Sequence, residues 1–311
     1  MSATDVLKNI APRGQQSNNE VMQISKPVFQ KNFNKNAFIF EHNLSDRPAF
    51  SMERLEKLLE LTIPHPDLLY WDAGEKRIDQ RWNEKPGRDF SAQEAFRRIR
   101  ESGAWIILFG ASRDPEIAEL LDASMEQVRE LSGYDLFKEV KTRDAYIFIT
   151  APHRVTTYHI DFQCGFLLQL RGSKELHVFD QTDRENVPEM ELEKFWTKDT
   201  NAAVYKPQFE DRAKVVQLIP GIGAHIPVNA PHWLKNGDDI SVSLSLNFQF
   251  KNSVLANIYR TNYYLRKMGL NPTPPGVSAF KDRVKGHGME IPVETAKLLK
   301  RLKGKKAASR I

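Results

Sequence analysis

The spacing of apolar residues changes along the chain from a helical period of three to four to a strand period of two. Before residue 145, three stretches have the helical spacing, and each follows a residue suited to cap a helix. They follow Ser51, Ser91 and Asp114 and read MERLEKLLEL, AQEAFRRIRES and PEIAELLDASMEQVREL. Between the last two, the run AWIILFG is typical of a buried strand.

From residue 145 onward, short segments alternate apolar and polar residues and are separated by glycine, proline and asparagine turns. The predicted strands are AYIFIT, GFLLQLR, KELHVFD, AKVVQLIP, AHIPV and ISVSLSLNFQF. Strands at this density without helices between them favour a closed or sandwiched antiparallel β-structure. After residue 252 the helical spacing returns, in SVLANIYRTNYYLRKMG, VSAFKDRVKG and PVETAKLLKRLKG.

These patterns predict one domain that is mainly β with flanking helices. Residues 1–25 are polar without an apolar period, so we expect a disordered lead. The domain then covers residues 26–311. Within it we expect an N-terminal α/β elaboration over 26–144, a β core over 145–252, and C-terminal helices with a basic tail over 253–311.

Composition and charge narrow the classes of function. The chain has 311 residues and a formal charge of +5, but residues 281–311 hold ten Lys/Arg and three acidic residues, a net +7. The remainder therefore carries −2, which argues against a nucleic-acid platform. No apolar run is long enough to cross a membrane or to form a signal peptide. The one cysteine, Cys164, suits a reducing compartment, so we expect a cytoplasmic protein.

The segment TTYHIDFQCG carries the first candidate chemistry. It reads as a strand, in which His159 and Asp161 point to the same side. A surface hydrogen-bonded pair has the same pattern, so a third ligand is needed. His232, which follows a later turn and strand, supplies it. Two imidazoles and one carboxylate form a facial triad that suits Fe(II) and leaves coordination positions open.

Further residues give this region a resemblance to a known family. Thr156 stands three residues before the first histidine, Lys174 follows a glycine turn fifteen residues after it, and Asn247 lies on the strand after His232. In order and spacing these positions resemble the JmjC/cupin-like Fe(II)- and 2-oxoglutarate-dependent oxygenases. They are most similar to the asparaginyl hydroxylase of hypoxia-inducible factor. One departure is Gly165, where that hydroxylase has an asparagine that contacts the cosubstrate.

The resemblance implies a double-stranded β-helix (jelly-roll) core, with iron held by His159, Asp161 and His232. It implies that Thr156, Lys174 and Asn247 bind the cosubstrate 2-oxoglutarate, and that O2 is the oxidant. If Gly172 and Ser173 form a hairpin turn, Lys174 lies opposite Arg171 and faces the same cavity. Gln169 and Arg171 are then further candidates for contact with substrate or cosubstrate.

The other histidines and the cysteine are expected to be structural. His153, His177 and His225 fall outside the triad pattern, and Cys164 has no neighbouring base that would make it a nucleophile. We expect a hydroxylase that acts on an unidentified small molecule or peptide, releasing succinate and CO2. The alternatives are a non-catalytic, cupin-like metal- or ligand-binding regulatory protein and a JmjC-type protein demethylase. The C-terminal helices offer a surface for a homodimer.

Overall fold

Twelve β-strands and eight α-helices lie in the part of the chain that the computed structural model describes, residues 20–81, 84, 90–251 and 254–288. The strands are β1 (Met22–Gln23), β2 (Phe38–His42), β3 (Leu69–Asp72), β4 (Trp105–Leu108), β5 (Val140–Thr150), β6 (Val155–His159), β7 (Cys164–Arg171), β8 (Lys174–Val178), β9 (Lys214–Leu218), β10 (Ile222–Ile226), β11 (His232–Asn236) and β12 (Ser241–Phe250). The helices are α1 (Lys26–Asn32), α2 (Met52–Thr62), α3 (Ala92–Arg97), α4 (Pro115–Ser132), α5 (Leu136–Glu139), α6 (Glu189–Trp196), α7 (Val254–Lys267) and α8 (Ala279–Gly288). Short 3-10 helices cover Pro48–Phe50, Pro66–Leu68, Ala111–Arg113 and Pro207–Arg212.

Three helices begin where the sequence predicted. The side chains of Ser51, Ser91 and Asp114 each accept a hydrogen bond from a main-chain N–H in the first turn of α2, α3 and α4. Such a cap contributes about 1 kcal/mol to helix stability. Helix α4 ends before Gly133, which adopts the left-handed conformation with φ 77°. Helix α3 is shorter than predicted, since it ends at Arg97.

The strands form two antiparallel sheets. The large sheet has the order β1-β2-β10-β7-β12-β5-β4-β3, and the small sheet has the order β6-β11-β8-β9. Strand β12 pairs along its whole length with β5 and along most of it with β7. Strands that follow one another along the chain, such as β6, β7 and β8, alternate between the two sheets. The candidate residues therefore come from strands of both sheets. The predicted class, mainly β with flanking helices, is confirmed.

Strand β12 shows how alternation divides the large sheet into two faces. Val242, Leu244, Leu246 and Phe248 are fully buried and pack in the main apolar core. That core also includes apolar side chains of α1, α2, α3 and α4. The alternate positions of β12 are serine and asparagine, and two of them line the cavity described below. Helices α1–α4 therefore cover one face of the large sheet, and the cavity lies on the other.

The connection from β7 to β8 differs from the predicted hairpin. Strand β7 pairs with β10 and β12, whereas β8 pairs with β9 and β11. At the connection, Gly172 has φ 63°, and a Cβ there would come within 2.4 Å of the carbonyl oxygen of Ile240. Only glycine fits this approach. The turn thus passes the chain from one sheet to the other, and Lys174 pairs with Asn236 and Leu218 instead of Arg171.

The chain divides into two compact units. The first contains residues 20–186 and 204–250, and the second contains residues 187–203 and 254–288. In the second unit, Arg266 forms an ion pair of 2.8 Å with Glu193, whose side chain is fully buried. Helix α6 groups with the C-terminal helices, and the single domain over 26–311 stays a prediction.

Predictions for the two chain ends are only partly covered by the described residues. Met22 and Gln23 pair with β2, and Met22 is 1% exposed, so the predicted disordered lead over 1–25 is too long. Burial of this apolar side chain holds the segment in place. Residues 1–19 and the predicted helix and basic tail over 290–311 lie outside the described residues. No helix that the structure describes is both long enough and apolar enough to cross a membrane.

Candidate metal centre

Strand pairing brings the two predicted histidine ligands together. His159 ends β6, His232 begins β11, and the two are direct partners in the small sheet. Their ring centroids are 4.1 Å apart. Asp161 places Oδ2 3.9 Å from Nε2 of His159 and 3.7 Å from Nε2 of His232. Two ligands bound to one ion at about 2.1 Å can be at most about 4.2 Å apart. The three side chains therefore have the spacing of a metal site.

Hydrogen bonds fix the orientation of both imidazoles. Nδ1 of His159 lies 2.7 Å from the carbonyl oxygen of Thr157, and Nδ1 of His232 lies 2.9 Å from that of Ala230. A carbonyl oxygen only accepts, so each Nδ1 carries a proton and each Nε2 is the ring nitrogen on the side of Asp161. Burial, with a smaller effect of His159, lowers the pKa of His232 to about 4. This imidazole is neutral at neutral pH, as a metal ligand must be.

The three side chains open into a cavity of about 300 Å³ between the two sheets. It is lined by Trp105, Ile107, Phe109, Tyr146, Phe148, Thr156, His159, Asp161, Phe162, Gln163, Gly165, Leu167, Lys174, Ile226, His232, Leu234, Ser245 and Asn247. The volume suits a small cosubstrate and part of a substrate. All six residues predicted to bind metal or cosubstrate line this cavity.

Lys174 is the most unusual group in the cavity. It begins β8, its exposure is 4%, and burial lowers its pKa to about 7. Its Nζ lies 5.9 Å from the ring centre of Phe148. Among the described residues, no charged neighbour offsets this effect of burial on its pKa. A buried ammonium without an anion is costly, so this position calls for a negatively charged ligand.

Thr156, Asn247 and Gly165 also line this cavity. Thr156 belongs to β6, and Asn247 of β12 is the direct partner of Gly165 on β7. Asn247 Oδ1 accepts a hydrogen bond of 3.1 Å from the Ser245 hydroxyl. A Cβ at residue 165 would lie 3.4 Å from Asn247 Oδ1. The glycine therefore leaves space beside Asn247 that a larger side chain would take.

Gln169 and Arg171 lie outside the cavity, contrary to the prediction. The Gln169 amide donates to Ser241 Oγ at 2.8 Å and to the carbonyl oxygen of Arg171 at 2.6 Å, and it accepts from Ser243 Oγ at 2.7 Å. Arg171 is exposed at the end of β7. The face of β7 that was predicted to line the cavity does so at Gly165 and Leu167. Beyond it, the cavity ends and a register shift follows between β7 and β12.

Several cavity residues were not predicted from the sequence. Tyr146 on β5 and Gln163 after β6 lie close together, since Gln163 Nε2 donates to the Tyr146 hydroxyl at 3.3 Å. Trp105, Phe109 and Phe162 supply further aromatic surface. Alternation along β5 could have identified Tyr146, because its neighbours on both sides are fully buried core residues.

His225, His177 and the cysteine have structural surroundings. The imidazole of His225 accepts from the main-chain N–H of Asn34 and donates to the carbonyl oxygen of Gly165, and burial lowers its pKa to about 3. His177 stacks on Trp233 with ring centroids 3.8 Å apart. Burial raises the pKa of the Cys164 thiol, so it is unsuited to act as a nucleophile.

Comparison with solved structures identifies the fold. A structure of Escherichia coli YcfD is 14% identical, matches 88% of this chain and 69% of its own, and has a TM-score of 0.51. The E. coli ribosomal oxygenase YcfD in complex with cobalt and 2-oxoglutarate is 15% identical, with 88% and 67% covered and a TM-score of 0.50. No protein-family model and no curated protein matches the sequence. The chain therefore has the fold of a ribosomal oxygenase, and the predicted resemblance to the JmjC/cupin-like oxygenases is confirmed at the level of fold.

Proposed function

We propose that this protein is an Fe(II)- and 2-oxoglutarate-dependent oxygenase that hydroxylates its substrate with release of succinate and CO2. The observation that carries the proposal is the placement of two complementary features in one cavity. One is a triad of two imidazoles and a carboxylate, and the other is the buried cation Lys174. A metal site alone, or a buried lysine alone, would not indicate this chemistry.

The residues present fit Fe(II). Each imidazole is held by a backbone carbonyl so that Nε2 faces the same point as Asp161 Oδ2. A triad of this kind leaves open positions for other ligands on the ion. Asp161 is half exposed, which lets an ion reach it from the cavity side. His159, Asp161 and His232 would therefore hold the iron.

The cavity also fits 2-oxoglutarate. Lys174 would bind the distal carboxylate, with the Thr156 hydroxyl as a second donor and Asn247 as a further contact. With Fe(II) and the dianion bound, the charges of Asp161 and Lys174 bring the cavity to zero net charge. The structurally similar YcfD has been solved with cobalt and 2-oxoglutarate, which supports the same ligands here. On the same structural similarity, we propose that the large and small sheets of this chain form a double-stranded β-helix.

Bound iron, 2-oxoglutarate and O2 would supply the oxidation, and the protein would supply binding and orientation. Lys174 would fix the far end of the cosubstrate, and the triad would fix the metal. The aromatic and aliphatic side chains of the lining would exclude water from the reacting groups. The polypeptide would thus act by positioning.

A non-catalytic, cupin-like binding protein is the alternative, and a JmjC-type demethylase ranks third. A protein that only binds a ligand has no need for a complete triad together with Lys174. The substrate would be a small molecule or a peptide. We propose that the enzyme is cytoplasmic, because its one cysteine, Cys164, is a free thiol. We also propose that it forms a homodimer through the C-terminal helices.

Anaerobic titration tests the proposal. The protein should bind one Fe(II) per chain, and 2-oxoglutarate should then give a visible charge-transfer band. On admission of O2, slow release of succinate without added substrate should follow. A protein that binds iron and 2-oxoglutarate but forms no succinate with any candidate substrate would favour the non-catalytic alternative.

A further inference from the structure

Tyr146 and Gln163 form a pair of polar groups that the proposed metal and cosubstrate contacts do not use. Gln163 Nε2 donates to the Tyr146 hydroxyl at 3.3 Å. This leaves the Tyr146 O–H as a donor and Gln163 Oε1 as an acceptor. Among the described residues, neither the Tyr146 O–H donor nor the Gln163 Oε1 acceptor has a hydrogen-bond partner. Both side chains line the cavity, so both functions are available to a ligand there.

The pair lies beside the metal site and away from Lys174. Gln163 follows Asp161 by two residues, and Tyr146 and Gln163 line the same cavity as the triad. Along β5, Tyr146 is two residues from Phe148, whose ring is near Lys174. Two residues of strand span about 6.8 Å. A cosubstrate bound to Lys174 would therefore leave the pair free for substrate.

The rest of the cavity lining in this region is aromatic, and the Asp144 carboxylate lies near Tyr146 without lining the cavity. Phe109 packs edge-on against Tyr146 with ring centroids 5.0 Å apart, and Phe162 is 43% exposed at the cavity surface. Of the described lining residues, Lys174 is the one lysine or arginine and Asp161 is the one carboxylate. Both are committed to cosubstrate and metal. An ionised substrate group entering here would find no counter-ion in the lining. The nearby Asp144 carboxylate already accepts hydrogen bonds from the Ser112 hydroxyl and the main-chain N–H of Ala145.

The two charged classes of substrate are disfavoured to different degrees. An anion would meet aromatic faces and a carboxylate without any free cation. A cation would gain from aromatic faces, but this attraction does not offset burial of an unpaired charge. An uncharged group with a donor beside an acceptor meets both Tyr146 and Gln163 at no such cost.

We infer that Tyr146 and Gln163 are the substrate-orienting pair, and that the group they hold beside the metal is uncharged and both donates and accepts hydrogen bonds. This inference rests on the proposed function, because it places the cosubstrate on Lys174. It assigns specificity to two residues that the family resemblance did not include.

The test uses three planar isosteres that differ in charge, namely benzamide, benzoate and benzamidinium. Each is titrated into the full chain loaded with Mn(II) and 2-oxoglutarate, and paramagnetic broadening of its ring-proton signals reports binding near the metal. Benzamide should bind more tightly than the other two. Tighter binding of benzoate or benzamidinium would overturn the inference.

Variants assign the effect to the pair. Tyr146→Phe and Gln163→Met should each weaken benzamide binding about 2- to 12-fold, the worth of one uncharged hydrogen bond, and leave 2-oxoglutarate affinity unchanged. Gln163→Glu should shift the preference towards benzamidinium. Tyr134→Phe is the matched control, because Tyr134 is 58% exposed and does not line the cavity. Unchanged benzamide binding in both Tyr146→Phe and Gln163→Met would refute the role of the pair.

The same experiment separates the two proposals. If Mn(II) or 2-oxoglutarate does not bind to the native chain, the proposed function fails. If both bind and benzamide shows no preference over its charged isosteres, the proposed function stands and only the inference about Tyr146 and Gln163 fails.

Discussion

Replacement of Lys174 by methionine should change binding and stability in opposite directions. Methionine keeps a similar length but cannot carry charge. A hydrogen bond to a charged group contributes about 1.5–3 kcal/mol, so Lys174→Met should weaken 2-oxoglutarate binding about 10- to 150-fold at pH 7. The metal ligands are separate residues, so metal affinity should not change. Calorimetric titration of the Co(II)-loaded protein measures both affinities.

The stability effect follows from the pKa of Lys174. Burial lowers it from 10.5 to about 7. The 3.5-unit difference corresponds to a cost of about 5 kcal/mol for keeping the charge in the folded protein at pH below 7. Because the folded pKa is the lower one, the unfolded chain binds more protons between pH 7 and 10.5, and raising the pH through this window stabilises the native fold. The methionine variant lacks this dependence.

Urea unfolding of the metal-free protein at pH 7 and pH 9 measures this difference. Lys174→Met should be more stable than the native chain at pH 7, and the gap should narrow by about 2 kcal/mol at pH 9. Lys235→Met is the matched control, since Lys235 is exposed on β11. If Lys174→Met bound 2-oxoglutarate as tightly as the native protein, Lys174 would not be the cosubstrate residue and the reasoning would be refuted.

Three further changes test other parts of the structure. His232→Ala should abolish stoichiometric Co(II) binding, measured by metal analysis after gel filtration, whereas His153→Ala should retain it. Arg154→Met should lower the free energy of unfolding, measured in urea, by about 3–5 kcal/mol, because it leaves Asp72 buried without its ion-pair partner at 2.6 Å. Adding Asp72→Asn to this variant should recover part of the loss. If the C-terminal helices form a homodimer, deletion of residues 290–311 should change the particle seen by light scattering from a dimer to a monomer. A variant that stays dimeric would exclude that interface.

Local patterns in the sequence predicted much of the fold. Ser51 and Asp114 cap helices as expected, since capping depends on only a few neighbouring residues. Alternation along β12 correctly separated a core face from a cavity face. Strand β11 was not predicted, because HWLKN is short and does not alternate clearly. Its pairing with β6, which creates the metal site, is a long-range contact that local pattern does not encode.

The candidate site shows the same limit. Lys174 was assigned to the cavity by the family resemblance, and the hairpin that supported this assignment does not form. Lys174 reaches the cavity from the other sheet. Gln169 and Arg171 were assigned by the face of β7, but a strand face does not say where a cavity ends. Tyr146 and Gln163 were missed because tyrosine and glutamine carry no motif of their own. Alternation predicts the direction of a side chain and not its neighbours in another strand.

The direct pairing of His159 with His232 has a consequence for the behaviour of the small sheet. β6 is an edge strand of that sheet, and edge strands are the first to open in native-state fluctuations. An ion held by both histidines would cross-link β6 to β11 at the end of their ladder. Binding of metal to the site and pairing of β6 with β11 would then be linked, so that each favours the other. Main-chain amides of β6 and β11 would exchange with solvent more slowly with metal present, at a rate set by the free metal concentration.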